Sequence, residues 1–101
     1  MKQKEKLLLK IDTSNNLRAD VSLGEVRIEK KYRNPRDQDV LSLIKKVLKK
    51  SKKDFKDITE IKVNVGPGSF TSTRVGVAIA NALAWSLKVK VNEKNQVTPI
   101  Y

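Results

Sequence analysis

Between Val63 and Leu87 the chain carries one charge, Arg74, although 33% of all its residues are charged. A soluble chain this ionic leaves so long an interval without charge only where something shields it from water. The interval opens with Gly66-Pro67-Gly68-Ser69-Phe70-Thr71 and continues in a pattern that predicts a helix to about Leu87. A helix lying on a sheet needs an apolar stripe roughly 100° wide, with charges opposite it. This one has no charged side. At about 100° per residue, Val75, Ile79, Ala82 and Leu83 share one arc, Val77 and Ala84 point nearly opposite Val75, and Trp85 points to a third side. Gly76, Ala80 and Ala84 recur every four residues, a spacing that lets another helix backbone come close. The first helix of the same chain can fill that row, or a partner protein can. A chain of 101 residues has little material with which to cover such a helix all round. The expectation is an exposed apolar patch rimmed by lysines, which is a protein interface.

The rest of the chain limits what that interface serves. Its length suits one domain with one core. With no cysteine and no histidine, it lacks disulfides, thiolate sites, the commonest general base and the commonest transition-metal ligand. No metal and no cofactor are expected. No run reads as a signal peptide, and Val75 to Leu87 falls well short of the roughly 20 apolar residues that span a bilayer. A cytoplasmic protein without a membrane anchor is expected. The net charge of +11 comes mostly from lysine, which suits diffuse attraction to phosphate or simple solubility more than bidentate reading of bases. Aromatic residues are 5% of the chain and are not interleaved with basic ones, against the pattern of a stand-alone stacking platform.

Periodicity predicts the element order. Lys6 to Ile11 reads as a mostly buried strand ending in the turn formers Asp12 to Asn16. Leu17 to Leu23 and Val26 to Tyr32 alternate as half-exposed strands around Gly24-Glu25, so the first three strands form an antiparallel meander. After Asn34-Pro35, Asp37 or Asp39 can cap a helix with Val40, Leu41, Ile44, Val47 and Leu48 at helical spacing, and its lysine-rich end complements the helix dipole. Glu60 to Val65 predicts a central strand, and Lys88 to Val91 a short last one. The fold class is α/β, a ribonuclease H-like half-domain of order β-β-β-α-β-α-β with a mixed five-stranded sheet. Residues 1–91 form the lobe, and 92–101 a tail.

The glycine turn admits two readings. Gly66, Pro67, Gly68, Ser69 and Thr71 can make a tight reversal, with Ser69 or Thr71 as the N-cap of the helix. Alternatively, backbone amides freed by two glycines at a helix N-terminus can cradle a phosphate, although the frame matches neither nucleotide-binding fingerprint.

The strand followed by Gly66-Pro67-Gly68-Ser69-Phe70-Thr71, then Arg74 and Gly76, then an alanine-rich helix, resembles the signature of the bacterial TsaB family, also called YeaZ-like. Leu8, Ile11, Asp12, Thr13 and Ser14 match the same family's opening strand and turn. The resemblance covers residues 6 to 91 and corresponds to the N-terminal lobe of a protein with two lobes of actin and sugar-kinase-like architecture. It implies a part in making threonylcarbamoyladenosine on tRNA, as a non-catalytic subunit. Such subunits pair through helices of this lobe with TsaD, the metal-bearing paralogue that transfers the threonylcarbamoyl group, and the ATPase TsaE joins the pair. By position, Gly66, Gly68, Phe70, Arg74, Gly76, Ala80 and Leu83 shape or line that interface, Ala84 continues the small-residue row, and Leu41, Ile44 and Leu48 come from the first helix. Asp12, with Thr13 and Ser14, occupies the place of metal or phosphate contact in active superfamily members, and is read here as a turn residue.

The chain departs from the family at three places. Ser72 stands where a glycine is usual, Asn34 to Asp39 lacks a histidine, and the second lobe is absent. Val97 to Tyr101 resembles the Pro-x-Tyr near the C-terminus of full-length relatives, so a minimal form and a shortened one are both open. The expected function is a scaffold for a TsaD-like enzyme, with tRNA reached indirectly or through the basic surface. A homodimer through the same helices is a second use of the face. The alternatives are a basic RNA (tRNA)-binding module and a metal-dependent ribonuclease H-like enzyme, for which one acid on the first strand is too few.

Overall fold

The computed structural model describes residues 5–100. Alternation of apolar and polar residues produces β1 (Leu8–Asp12), β2 (Arg18–Leu23) and β3 (Val26–Lys31). Next come α1 (Val40–Ser51), β4 (Glu60–Val63), α2 (Phe70–Leu87) and β5 (Lys90–Val91). Single 3-10 turns at Pro35–Asp37 and Phe55–Asp57 flank α1. The five strands lie in the order β3-β2-β1-β4-β5. The first three are antiparallel, and β4 runs parallel to both β1 and β5. This is the expected half-domain, with β1 at the centre of the sheet and β4 beside it.

Register decides which side is the core. Leu9 lies opposite Leu23 and Ile61, Ile11 opposite Val21 and Val63, and Ile61 opposite Val91. All of these project to one face and are buried. There α1 lies over β2 and β3, while α2 lies over β4, β1 and β5. The inward residues of α1 are Val40, Leu43, Ile44, Val47 and Leu48. Full burial of each large aliphatic side chain contributes about 1.5 to 3 kcal/mol. Of the two candidate caps, Asp39 is the one used: its Oδ1 accepts the Ser42 amide at 3.1 Å. Lys52 and Lys88, both left-handed, end the two helices.

The opposite face explains why β1 is less buried than its sequence suggested. Lys10 stands exposed there, and its register partners are Ser22 and Lys62. An ion-paired patch of Arg27 with Asp20 and Glu29, and of Arg18 with Glu29, occupies the β2–β3 side of that face. No helix of the described residues is long and apolar enough to cross a membrane.

Residues 92–100, expected as a tail, form no helix or strand, yet they are tied to the fold. Asn92 and Glu93 take positive φ and turn the chain back, so that Val91 bridges Lys94. The Asn92 side chain extends the sheet by accepting the Val63 amide at 2.9 Å and donating to the Val63 carbonyl at 3.0 Å. Asn81 of α2 does the same to Val97, donating to its carbonyl at 2.8 Å and accepting its amide at 2.9 Å. Finally, the Ile100 amide donates to the Val65 carbonyl. Residues 1–4 of the expected lobe, and Tyr101 of the Pro-x-Tyr, lie outside the described residues.

Candidate functional site

The two sequence motifs, far apart in the chain, meet. The Thr13 hydroxyl, fully buried at the end of β1, donates to the Ser72 carbonyl at 2.6 Å. The Ser69 amide donates to the Ser14 carbonyl at 2.7 Å. Asn64 joins both sides, accepting the Gly66 amide at 2.9 Å and donating to the Ser14 hydroxyl at 3.3 Å. At Gly68 a Cβ would sit 2.6 Å from the Ser14 carbonyl oxygen and 2.7 Å from Ser14 Cβ, so only glycine lets the strands of backbone touch. Gly66 has φ +109, and the Ile100 carbonyl lies against it. The turn is thus wedged between the β1 end and the C-terminal segment.

The residues considered for anion or nucleotide contact are used within the chain. Asp12 Oδ1 accepts the Ser14 amide at 3.0 Å and the Ser14 hydroxyl at 2.7 Å, an Asx turn. Burial pushes the Asp12 carboxyl upward, but the Ser14 amide and hydroxyl, the Asn64 amide and the Arg18 charge outweigh it and hold it below the ordinary carboxylate value. Ser69 sits at the N-cap of α2 without a side-chain cap bond, and Thr71 lies exposed in the first turn. Ser72, the departure from the family's glycine, is buried, and neither its hydroxyl nor that of Thr73 has a protein partner. Among the described residues no three His, Cys, Asp or Glu are grouped as metal ligands.

α2 has one covered face and one open face. Ser72, Thr73, Gly76, Val77, Ala80 and Ala84 are buried. The small-residue row of Gly76, Ala80 and Ala84 therefore faces the chain's own sheet, where sequence reasoning expected it to admit a partner helix. The physical reason is the close approach itself: a Cβ at Gly76 would fall well inside contact with Thr13 Oγ1 and 3.3 Å from Thr13 Cβ. Ile44 and Leu48 are likewise covered, under α1. Among the nominated interface residues, Leu41 (42% exposed), Phe70 (55%) and Arg74 stay open, and Leu83 is half-buried. The Arg74 guanidinium lies 5.2 Å from the centroid of the Phe70 ring.

The open face of α2 consists of Thr71, Arg74, Val75, Ala78, Ala82, Trp85 and Ser86. Val75 is 44% exposed and Trp85 85%. Val75, Ala78 and Ala82 form an exposed apolar strip, and Trp85 lies one turn beyond it. Ala78, Ala82 and Trp85 were not singled out as interface residues from the sequence. Neither polarity nor size marked them, since Ala78 and Ala82 match the buried Ala80 and Ala84, and Val77 is buried while Val75 is open.

A family model described as tRNA N6-adenosine threonylcarbamoyltransferase matches residues 35–96. The TsaB protein of Bacillus subtilis, named for tRNA threonylcarbamoyladenosine biosynthesis, is 34% identical over 92 residues, covering 84% of this chain and 39% of its own length. A TsaB protein of Buchnera aphidicola is 33% identical over 64 residues, covering 63% of this chain and 29% of the relative. The solved YeaZ of Pseudomonas aeruginosa superposes with a TM-score of 0.78 at 24% identity, over 86% of this chain and 42% of that one, and so shares its fold. The chain spans less than half the length of these relatives. With the model matching well over half of the chain, and TsaB proteins among its relatives, this chain belongs to the tRNA N6-adenosine threonylcarbamoyltransferase family as a TsaB-like member.

Proposed function

We propose that this chain is a non-catalytic subunit of a cytoplasmic complex that makes threonylcarbamoyladenosine on tRNA, and that it docks a TsaD-like transferase through the open face of α2. The observation that carries this reading is that face itself: Val75, Ala78 and Ala82 lie open to water on a helix whose only charge is Arg74. Apolar area left uncovered in this way favours association once a complementary surface covers it. The open face from Thr71 to Trp85 has the length of about four helical turns, which suits a partner helix laid along it. The family membership supplies the partner class. Asp12, Thr13 and Ser14 act in this reading as the brace that holds the glycine turn and so orients α2.

Co-purification with a TsaD-like transferase from the same genome tests the reading. Ala78→Glu places a charge in the middle of the open apolar strip, where burial without a partner costs several kcal/mol. The wild-type chain should retain the transferase and Ala78→Glu should lose it by about 100-fold or more. Equal retention by both chains, or none by wild type, overturns the proposal. A concentration-dependent dimer that Ala78→Glu also breaks, in the absence of any transferase complex, would assign the face to a second copy instead.

A further inference from the structure

At the C-terminal end of α2 a cavity of about 710 Å³ is lined by Ala84, Trp85, Ser86, Lys88, Val89, Lys90 and Asn95. No carboxylate lines it, and among the described residues neither lysine makes an ion pair. Trp85 is 85% exposed, so its indole is presented to the solvent next to these lysines. The Lys90 ammonium could have turned to Glu60, its register partner on β4, but it donates to the Asn95 side chain at the cavity wall. Lys88 takes a left-handed backbone at the helix cap, and its side chain is exposed beside Trp85. From these placements we infer that the corner is a contact site for single-stranded RNA, in which a base stacks on Trp85 while Lys88 and Lys90 neutralise neighbouring phosphates.

An open aromatic face beside unpaired ammonium groups is the combination that single-strand binders use, because every base offers a π-face and every linkage a charge. The chain's charge of +11 adds long-range attraction for any polyanion. An acidic protein segment would use the lysines but has less use for an indole so fully exposed at the rim. The inference goes beyond the docking proposal and does not depend on it: the two share Trp85 at the end of α2, but docking is centred on Ala78 and the RNA contact is completed by Lys88 and Lys90.

Trp85 is the only tryptophan in the chain, so its fluorescence reports the site directly. The full chain is titrated with a mixed-sequence single-stranded oligoribonucleotide, and separately with poly-glutamate, at 50 and 200 mM salt. Quenching by the RNA is expected, with affinity falling about sevenfold between the two salt concentrations for two single-strand phosphate contacts. Lys88→Gln/Lys90→Gln, at exposed positions that tolerate glutamine, should lose most of that salt dependence, whereas Ala78→Glu should keep it. Absence of quenching, quenching unchanged in the double variant, or equal quenching by poly-glutamate would overturn the assignment, the last in favour of an acidic protein.

Discussion

Replacing Gly76 with alanine should destabilise this protein, although the same change in an exposed helix would stabilise it by about 1 kcal/mol. The new methyl would press on Thr13, which is fully buried and cannot swing away. Overpacking of that kind costs about 1 to 3 kcal/mol. Moving Thr13 also breaks its bond to the Ser72 carbonyl and strands two buried polar groups, about 1 to 3 kcal/mol more. After the propensity gain, a net loss of about 1 to 5 kcal/mol remains. With a urea slope of about 1 to 2 kcal/mol/M, the unfolding midpoint should fall by about 0.5 M or more. The second arm of the experiment repeats the change in a Thr13→Ala background. There the obstructing hydroxyl and methyl are already gone, so Gly76→Ala should be neutral or stabilising, a coupling of about 1 kcal/mol or more. If Gly76→Ala raises the midpoint in the parent chain, or if its effect is the same in both backgrounds, the close approach of α2 to β1 is not what requires glycine.

Four further outcomes follow from the same contacts. Asp12 has a folded pKa below its unfolded value, so its contribution is complete above the ordinary carboxylate value of about 3.9 and fades as the pH falls through the folded pKa. Asp12→Asn should therefore flatten the acid limb of the stability profile, measured by chemical denaturation between about pH 5 and 2. Thr73→Val removes a buried hydroxyl that lacks a protein partner and should be neutral or stabilising by up to about 1 kcal/mol, whereas Thr13→Val should cost about 1 to 3 kcal/mol in the same urea assay. Asn81→Ala should cost about 1 to 3 kcal/mol through its two bonds to Val97, and amide exchange at Val97 should quicken by tenfold or more. Gly68→Ala should lower the unfolding midpoint further than a surface substitution does, because its methyl meets the Ser14 backbone.

The sheet and α1 could be read from the sequence because one face of each is apolar with a clear period, and α2 because it is a long run almost without charge. Leu9 and Ile11, or Val21 and Leu23, alternate with polar residues, and Val40, Ile44, Val47 and Leu48 recur at helical spacing, although Leu41, read with them, is exposed and Leu43 is buried instead. The motif that carries the family resemblance was legible for a related reason, since Gly68 and Gly76 are required by contacts with Ser14 and Thr13 in the opening turn. The orientation of α2 was not legible from hydropathy. Its two sides differ little in polarity or size: Gly76, Val77, Ala80 and Ala84 are buried, while Val75, Ala78, Ala82 and Trp85 are exposed. A row of small residues signals close approach without saying to what. The hold on residues 92–100 was hidden too, because it rests on two asparagine side chains, Asn81 and Asn92, that bond to backbone and leave no periodic trace.

The docking account can be tested at a single atom, since the chain has no cysteine and Ala78→Cys creates a lone thiol in the middle of the open apolar strip. Its alkylation by a maleimide is followed with and without a saturating TsaD-like transferase, against Lys49→Cys on the exposed side of α1. The account predicts that the transferase slows modification at position 78 by tenfold or more and leaves position 49 unchanged. A complex in which position 78 reacts at its free rate would contradict it.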